Sequence, residues 1–210
     1  MGLAKGHQHH KPDGAFSSLL SGPETVIITP AEAKEHLRVS HTDEDTLITS
    51  LIQAATDYLD ADHGILGRAL ITQRWQLTMK DFPTYGDVHL PVPRVQQVTS
   101  FKYYDADNVQ QDFGVDQYRL VTNDEDAIIE FVDGATIPTV YDRADAVQIQ
   151  YDTGYGDAAT DIPQALRVAM LLMIGNWYEH REAVLPQSLE ELPLAVRSLL
   201  QPFRISRSFI

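Results

Sequence analysis

One aspartate of this chain lies in a sequence context that could support acid–base catalysis. The motif Asp152-Thr153-Gly154 follows an alternating segment at 147–151, which is the local setting of the catalytic loop in aspartic proteases. That chemistry needs two such aspartates sharing one proton, and a dimer could supply one from each subunit. Tyr155 stands where those loops carry a small residue, and Gly156 follows it. A loop from a strand into a helix is therefore the better interpretation, with a hydrolase using Asp152 kept as the alternative.

The other candidate sites lack residues that their chemistry requires. The segment Asp105-Ala106-Asp107-Asn108-Val109 resembles a calcium loop without the required glycine, and a hairpin turn explains it better. The eight histidines form no His-Glu-x-x-His pair, and no Gly-x-Ser-x-Gly motif is present. The absence of cysteine excludes thiol nucleophiles, disulfides and cysteine-ligated metals. The sequence therefore predicts no catalytic residue, cofactor or metal ligand. A metal enzyme that uses Asp and His clusters is kept as the second enzymatic alternative, beside the hydrolase using Asp152.

The charge of the chain is strongly acidic and unevenly distributed. The chain of 210 residues has 30 acids and 16 bases, a formal net charge of −14. This balance argues against nucleic-acid binding through phosphate neutralisation, which needs a surface rich in Lys and Arg. The acidic excess lies at 26–160, whereas the last fourteen residues contain three arginines and no acid. The longest strongly apolar run, 168–174, is far shorter than the ~20 residues needed to span a bilayer, and no signal peptide is expected.

Helical patterns are present towards both ends of the chain. Thr29 can cap a helix with Pro30 in its first turn and Glu32 at the capping-box position, which predicts a short helix. Apolar spacing predicts a second helix over 43–62. Towards the C-terminus, residues 166–178 are apolar nearly all round, which is typical of a buried central helix. A last helix is predicted over 188–200, and Pro202 ends it.

Strand patterns fill the middle of the chain. Apolar and polar residues alternate at 75–79, 98–103 and 147–151, with shorter candidates at 118–121 and 128–132. Turns rich in Asp, Asn and Gly separate these segments. No helical segment between them is long enough for a parallel crossover, so the strands are predicted to form an antiparallel sheet or a small barrel-like unit.

The predicted fold class is therefore α+β, with a small helical core formed by N- and C-terminal helices and an antiparallel β-rich insertion between them. The first segment is rich in Gly, His, Ser and Pro and has no apolar periodicity, which predicts a flexible arm. The predicted segments are the N-terminal arm at 1–25, the first part of the helical core at 26–66, the insertion at 67–158, the second part of the core at 159–201 and a C-terminal docking tail at 202–210.

Five groups of short motifs follow one another in a characteristic order and spacing. They are ITPAEAKEHL at 28–37 with DED at 43–45 and LIQAA at 51–55; LPVPRV at 90–95 with FKYYD at 101–105; VQIQYDTGYG at 147–156 with IPQAL at 162–166; NWYEHRE at 176–182; and LP at 192–193 with LLQPFR at 199–204. Each is weak alone. Together they resemble the head–tail connector, or adaptor, proteins of long-tailed bacteriophages and gene transfer agents, in the longer subgroup with a β insertion. The resemblance covers about 26–204.

The resemblance implies a structural virion protein at the head–tail junction, assembled in the host cytoplasm. Such proteins form a ring, typically dodecameric, beneath the portal protein, where they extend the DNA channel and offer a surface to tail or stopper proteins. DNA would pass through without specific binding, and the acidic body suits a channel wall that repels phosphates. No membrane and no cofactor are implied. A transient assembly factor, which binds the portal and leaves before maturation, is a further alternative.

The resemblance also implies that a C-terminal tail inserts into the portal, which assigns that role here to residues 201–210. The residue types of the tail, aromatic, aliphatic and arginine, are suited to interface anchors. The candidates for the portal interface are Phe203, Arg204, Ile205, Arg207, Phe209 and Ile210. An apolar tail can instead cover the core of its own chain, and the sequence leaves this alternative open.

Overall fold

The structure is a computed structural model that describes residues 15–61, 63–83, 86–180 and 193–205. It contains both helices and antiparallel strands, which confirms the α+β class. No helix within these ranges combines the length and the apolar character that crossing a bilayer requires.

The chain divides into two compact units, each built from two separate stretches of sequence. The first unit contains the strands and consists of Met1–Gly22 and Gln73–Thr153. The second unit contains the helices and consists of Pro23–Thr72 and Gly154–Ile210. The narrower segment boundaries given above, at 66, 158 and 201, stay predictions.

Within the described residues, the helical unit is organised around four helices. They are α1 (Pro30–Leu37), α2 (Asp45–Leu59), α3 (Gln164–Glu179) and α4 (Leu194–Leu200), with short 3-10 turns at Ala159–Asp161 and Gln201–Phe203. The start of α1 follows the predicted chemistry, since the backbone N–H of Glu32 donates to Thr29 Oγ1 at 3.2 Å. The part of the predicted last helix at 188–192 lies outside the described residues.

The core of this unit forms where α2 and α3 bring their apolar faces together. Ile48, Ile52, Ala55 and Leu59 repeat at helical spacing along α2 and are all buried. The buried residues of α3 that join the same cluster are Leu166, Ala169, Met170, Met173 and Ile174. An ion pair also joins α3 to α1: Arg167 Nη2 of α3 lies 2.5 Å from Glu32 Oε1 of α1.

The described residues of the strand unit form one five-stranded and one three-stranded antiparallel sheet. In chain order the strands are β1 (Phe16–Ser21), β2 (Gln73–Met79), β3 (Val88–His89), β4 (Val95–Tyr104), β5 (Gln110–Asp112), β6 (Tyr118–Thr122), β7 (Ala127–Phe131) and β8 (Val147–Thr153). The sheets run β1-β2-β8-β4-β5 and β3-β7-β6. Aromatic rings connect strands of the two sheets, as where Phe101 of β4 lies 5.2 Å from Tyr118 of β6 between ring centroids.

The prediction of a flexible arm over 1–25 is wrong for the part of that segment that forms the first strand. Residues 1–14 lie outside the described part, but Phe16–Ser21 pairs antiparallel with β2. The reason is that β1 lies at the edge of the sheet, where none of the described strands pairs with its outer side and burial is incomplete. Phe16, Leu19 and Leu20 are 50%, 48% and 47% exposed, so the segment lacks the apolar periodicity that marks a buried strand.

Candidate functional site

Asp152 lies in the middle of the five-stranded sheet, between two strands that both bind its carboxylate. Its position on β8 is opposite Arg74 of β2 and Gln97 of β4. Arg74 Nε donates to Asp152 Oδ1 at 2.8 Å and Arg74 Nη2 donates to Oδ2 at 3.0 Å, which is the bidentate fork geometry. Gln97 Nε2 donates to Oδ2 at 2.9 Å. The residue is only 6% exposed, so the carboxylate is fixed by three hydrogen bonds within the sheet.

This arrangement keeps Asp152 ionised. The hydrogen bond from Arg74, supported by Gln97 and by the charge of Arg74, lowers the pKa of the Asp152 carboxyl below its ordinary value, although burial acts in the opposite direction. An aspartic-protease pair needs a proton shared between two carboxylates. A carboxylate whose two oxygens are bound by a guanidinium and an amide is suited to joining three strands. The geometry therefore favours a structural role for Asp152.

The two glycines after Asp152 allow the chain to pass close to another segment. Gly154 has φ +141°, and a Cβ placed there would lie 2.7 Å from the carbonyl carbon and oxygen of Ile71. On either side of this close approach, the Tyr155 N–H donates to the Leu70 carbonyl at 3.1 Å and the Thr72 N–H to the Gly156 carbonyl at 3.0 Å. The Asp-Thr-Gly-Tyr-Gly motif is thus accounted for by backbone pairing with the segment before β2.

The candidate calcium loop is a hairpin turn, as its missing glycine indicated. Asp105 Oδ1 accepts hydrogen bonds from the backbone N–H groups of Asp107 and Val109 at 3.1 and 2.9 Å, and Oδ2 accepts one from Gln111 at 2.8 Å. These bonds, led by that from Val109, lower the pKa of the Asp105 carboxyl. Across the described ranges, no group of three or more His, Cys, Asp or Glu side chains could hold a metal ion.

The structure describes half of the predicted portal interface. Phe203 packs against the helical core cluster, and the Ile205 N–H donates to the Leu66 carbonyl at 3.0 Å, so these two residues contact their own chain. Arg204 between them is exposed. The remaining candidates, Arg207, Phe209 and Ile210, lie outside the described residues.

Sequence reasoning missed one unusual side chain, Arg68. The residue is 4% exposed, and its Nη1 donates to the Tyr155 hydroxyl at 3.2 Å. Its Nε has no hydrogen-bond partner among the residues that the structure describes. A signal was present in the sequence, because Arg68 interrupts a short stretch in which Leu66, Ala69 and Leu70 are apolar, and all three are buried. A charge in such a stretch indicates a guanidinium held away from water.

Comparison with known proteins gives one family and several related structures. The family model described as head completion protein matches residues 26–205. A chain from the neck of an empty GTA particle, computed with C6 symmetry, has 24% sequence identity and a TM-score of 0.74, covering 91% of this chain and 96% of that chain. A chain from the virion of a native gene transfer agent particle has 24% identity, a TM-score of 0.73 and the same coverage. These identities indicate a shared fold. No curated protein matches the chain.

Proposed function

Because this chain belongs to the head completion protein family, we propose that it is a structural head–tail connector of a tailed virus or gene transfer agent. In this role it forms a ring beneath the portal protein, extends the DNA channel and provides the attachment surface for tail or stopper proteins. The observation that carries the proposal is the family match over residues 26–205, which includes most of both units. The proposed place of action is the head–tail junction of the particle.

Two observations support a ring. The neck chains that share this fold come from particles whose necks were computed with C6 and C12 symmetry; the C12 structure has a TM-score of 0.68 at 22% identity and covers 91% of this chain and 96% of that chain. The acidic body, with a net charge of −14 for the whole chain, suits a wall along which DNA moves without being held. A dodecamer is the proposed stoichiometry.

The alternatives are a transient assembly factor and a hydrolase using Asp152. The bidentate contact of Asp152 with Arg74 disfavours the hydrolase, since it fixes the carboxylate as a sheet contact. Asp152→Asn separates these roles: lost turnover of a substrate with normal particle assembly would favour the enzyme. Loss of folding alone, or no effect, would favour the structural protein.

Quantitative mass spectrometry of purified particles tests the connector role, with the portal protein as internal standard. We expect a copy number equal to that of the portal, since both rings would share the neck. Presence in assembly intermediates and absence from mature particles would identify a transient factor instead. Absence from both would contradict the connector role altogether.

The tail is proposed to bind the portal through its last residues. Phe203 and Ile205 contact their own chain, so removal of the whole segment 201–210 would disturb the helical core as well as any interface. A deletion of 206–210 keeps both contacts. We expect this deletion to reduce particle incorporation at least ~10-fold, as loss of anchor residues at an interface does, while the denaturant midpoint of the isolated chain is unchanged.

The matched control is Arg204→Ala, which removes an exposed charge from the tail and leaves the last residues in place. A smaller loss of incorporation is expected for this variant, because it removes one candidate anchor, whereas the deletion removes three, Arg207, Phe209 and Ile210. Normal incorporation of the 206–210 deletion would contradict the tail proposal and would favour a tail that only covers its own core.

A further inference from the structure

Arg68 differs from the other arginines whose contacts the structure gives. Five arginines that are more exposed each lie within 4.0 Å of a carboxylate oxygen; they are Arg74, Arg94, Arg119, Arg143 and Arg167. Arg68 is 4% exposed, and within the described ranges no carboxylate comes that close to its guanidinium. Among the described residues, the one hydrogen-bond acceptor of its guanidinium is the neutral hydroxyl of Tyr155, at 3.2 Å.

A guanidinium in this position needs an anion. Arg is always charged at physiological pH, and a charge removed from water without a counter-ion is strongly unfavourable. Buried arginines are for this reason paired with carboxylates or phosphates. The Tyr155 hydroxyl accepts one hydrogen bond but carries no charge. Tyr155 is itself half-buried, so its side of the guanidinium is the side from which an outside group would approach.

We propose that Arg68 is a carboxylate-binding site filled by an Asp or Glu side chain of a neighbouring copy of this chain. This inference rests on the proposed ring. A closed ring uses heterologous contacts, in which one surface of each copy meets a different surface of the next. Arg68 supplies the cationic side of such a contact, and the next copy supplies the acid.

The charge of the chain favours a carboxylate from another copy over DNA. With 30 acids and 16 bases, each copy has many carboxylates in excess, and neighbouring copies of net charge −14 repel one another. Local pairs between an arginine of one copy and an acid of the next would offset this repulsion and fix the register of the interface. DNA binding, in contrast, uses several Lys and Arg residues that neutralise successive phosphates, and one buried arginine in an acidic protein does not provide this.

The first experiment replaces Arg68 with Met, which keeps an apolar stem and removes the charge. We expect the copy number of Arg68→Met in purified particles to fall at least ~10-fold relative to the portal, while the denaturant midpoint of the isolated chain stays the same or rises. The matched control is Arg167→Met, because Arg167 has its carboxylate partner, Glu32, within its own chain at 2.5 Å. This control should lower the midpoint of the isolated chain.

The second experiment identifies the partner. Arg68→Lys places an amine at the site, and a water-soluble carbodiimide joins an amine to a carboxylate that it contacts, with loss of water. In particles that contain this variant, we expect a product of twice the chain mass in which Lys at position 68 is joined to an acidic peptide of the same sequence. A product with the portal, or a cross-link within one chain, would overturn the proposal.

Other outcomes also decide between the possibilities. A fall in the midpoint of Arg68→Met comparable with that of Arg167→Met would place the counter-ion within the same chain and overturn the inference. Where the Met variant does not fold, Arg68→Gln, which retains a donor for Tyr155, is used for the same comparison. Wild-type chain missing from the particles contradicts the proposed function, whereas normal copy numbers of both wild type and Arg68→Met contradict only the carboxylate site.

Discussion

Gly154→Ala is expected to reduce the free energy of unfolding by about 4 kcal/mol, from steric overlap and backbone strain combined. The new Cβ would lie 2.7 Å from the carbonyl carbon and oxygen of Ile71 and 2.8 Å from the backbone nitrogen of Thr72. These are backbone atoms, which cannot rotate away as the end of a side chain can. The φ of +141° is also unfavourable for any residue with a Cβ. Chemical denaturation followed by circular dichroism measures the change.

The control for this variant is Gly134→Ala, in the turn after β7. Gly134 also has a positive φ, +80°, but a Cβ there would meet no described atom within 4 Å apart from those of its two chain neighbours. This variant experiences only the conformational cost, about 1 kcal/mol. Equal losses for the two substitutions would contradict the close approach to Ile71 and would reduce the role of Gly154 to that of an ordinary turn glycine.

The helical unit could be predicted because its signals are local. The capping residue Thr29 immediately precedes α1, and Pro30 is the first residue of that helix. The apolar face of α2 can be identified from the spacing of its residues alone. The residue at which α2 ends could be predicted less well. The helix predicted to reach 62 ends at Leu59, and the Gly64 N–H donates to the Asp60 carbonyl at 3.0 Å in the loop that follows. The path of a loop after a helix depends on what it packs against, which the helical period does not contain.

The polar contacts of the candidate site could not be predicted, because they join residues that are far apart in sequence. The partners Arg74 and Asp152 meet only when β2 and β8 pair in one particular register, and a shift by one residue would place these side chains on opposite faces. Arg68 likewise meets Tyr155 through the fold of the helical unit. The alternating pattern predicts that strands exist, but it does not specify which strand lies beside which. Catalysis at Asp152 therefore stayed an alternative at the level of sequence, whereas the neighbours of this residue in the sheet favour a structural contact.

Asp152→Asn is expected to lower the free energy of unfolding by about 2 kcal/mol at pH 7, because it leaves the Arg74 guanidinium without its carboxylate. The loss is below the ~3–5 kcal/mol typical of a fully buried pair, since the Arg74 side chain is 46% exposed and water can solvate it. The control is Asp142→Asn. Asp142 pairs with Lys80 at the same N–O distance of 2.8 Å, but the Asp142 side chain is 86% exposed, and no measurable change is expected.

The difference in free energy of unfolding between wild type and Asp152→Asn should depend on pH, and this dependence gives the sharper test of the Asp152 contact. The hydrogen bond from Arg74 holds the pKa of Asp152 in the folded chain below its ordinary value, so the folded state favours the ionised form. The stabilisation is thus fully present above the pKa of the unfolded chain, near 4, and decreases as the pH falls through the lower pKa of the folded chain. Denaturation of wild type and Asp152→Asn between pH 7 and pH 2.5 should therefore give free energies of unfolding that converge below about pH 4. A difference that is constant over this range would show that the carboxylate charge contributes nothing, and that Asn destabilises the sheet through its shape alone.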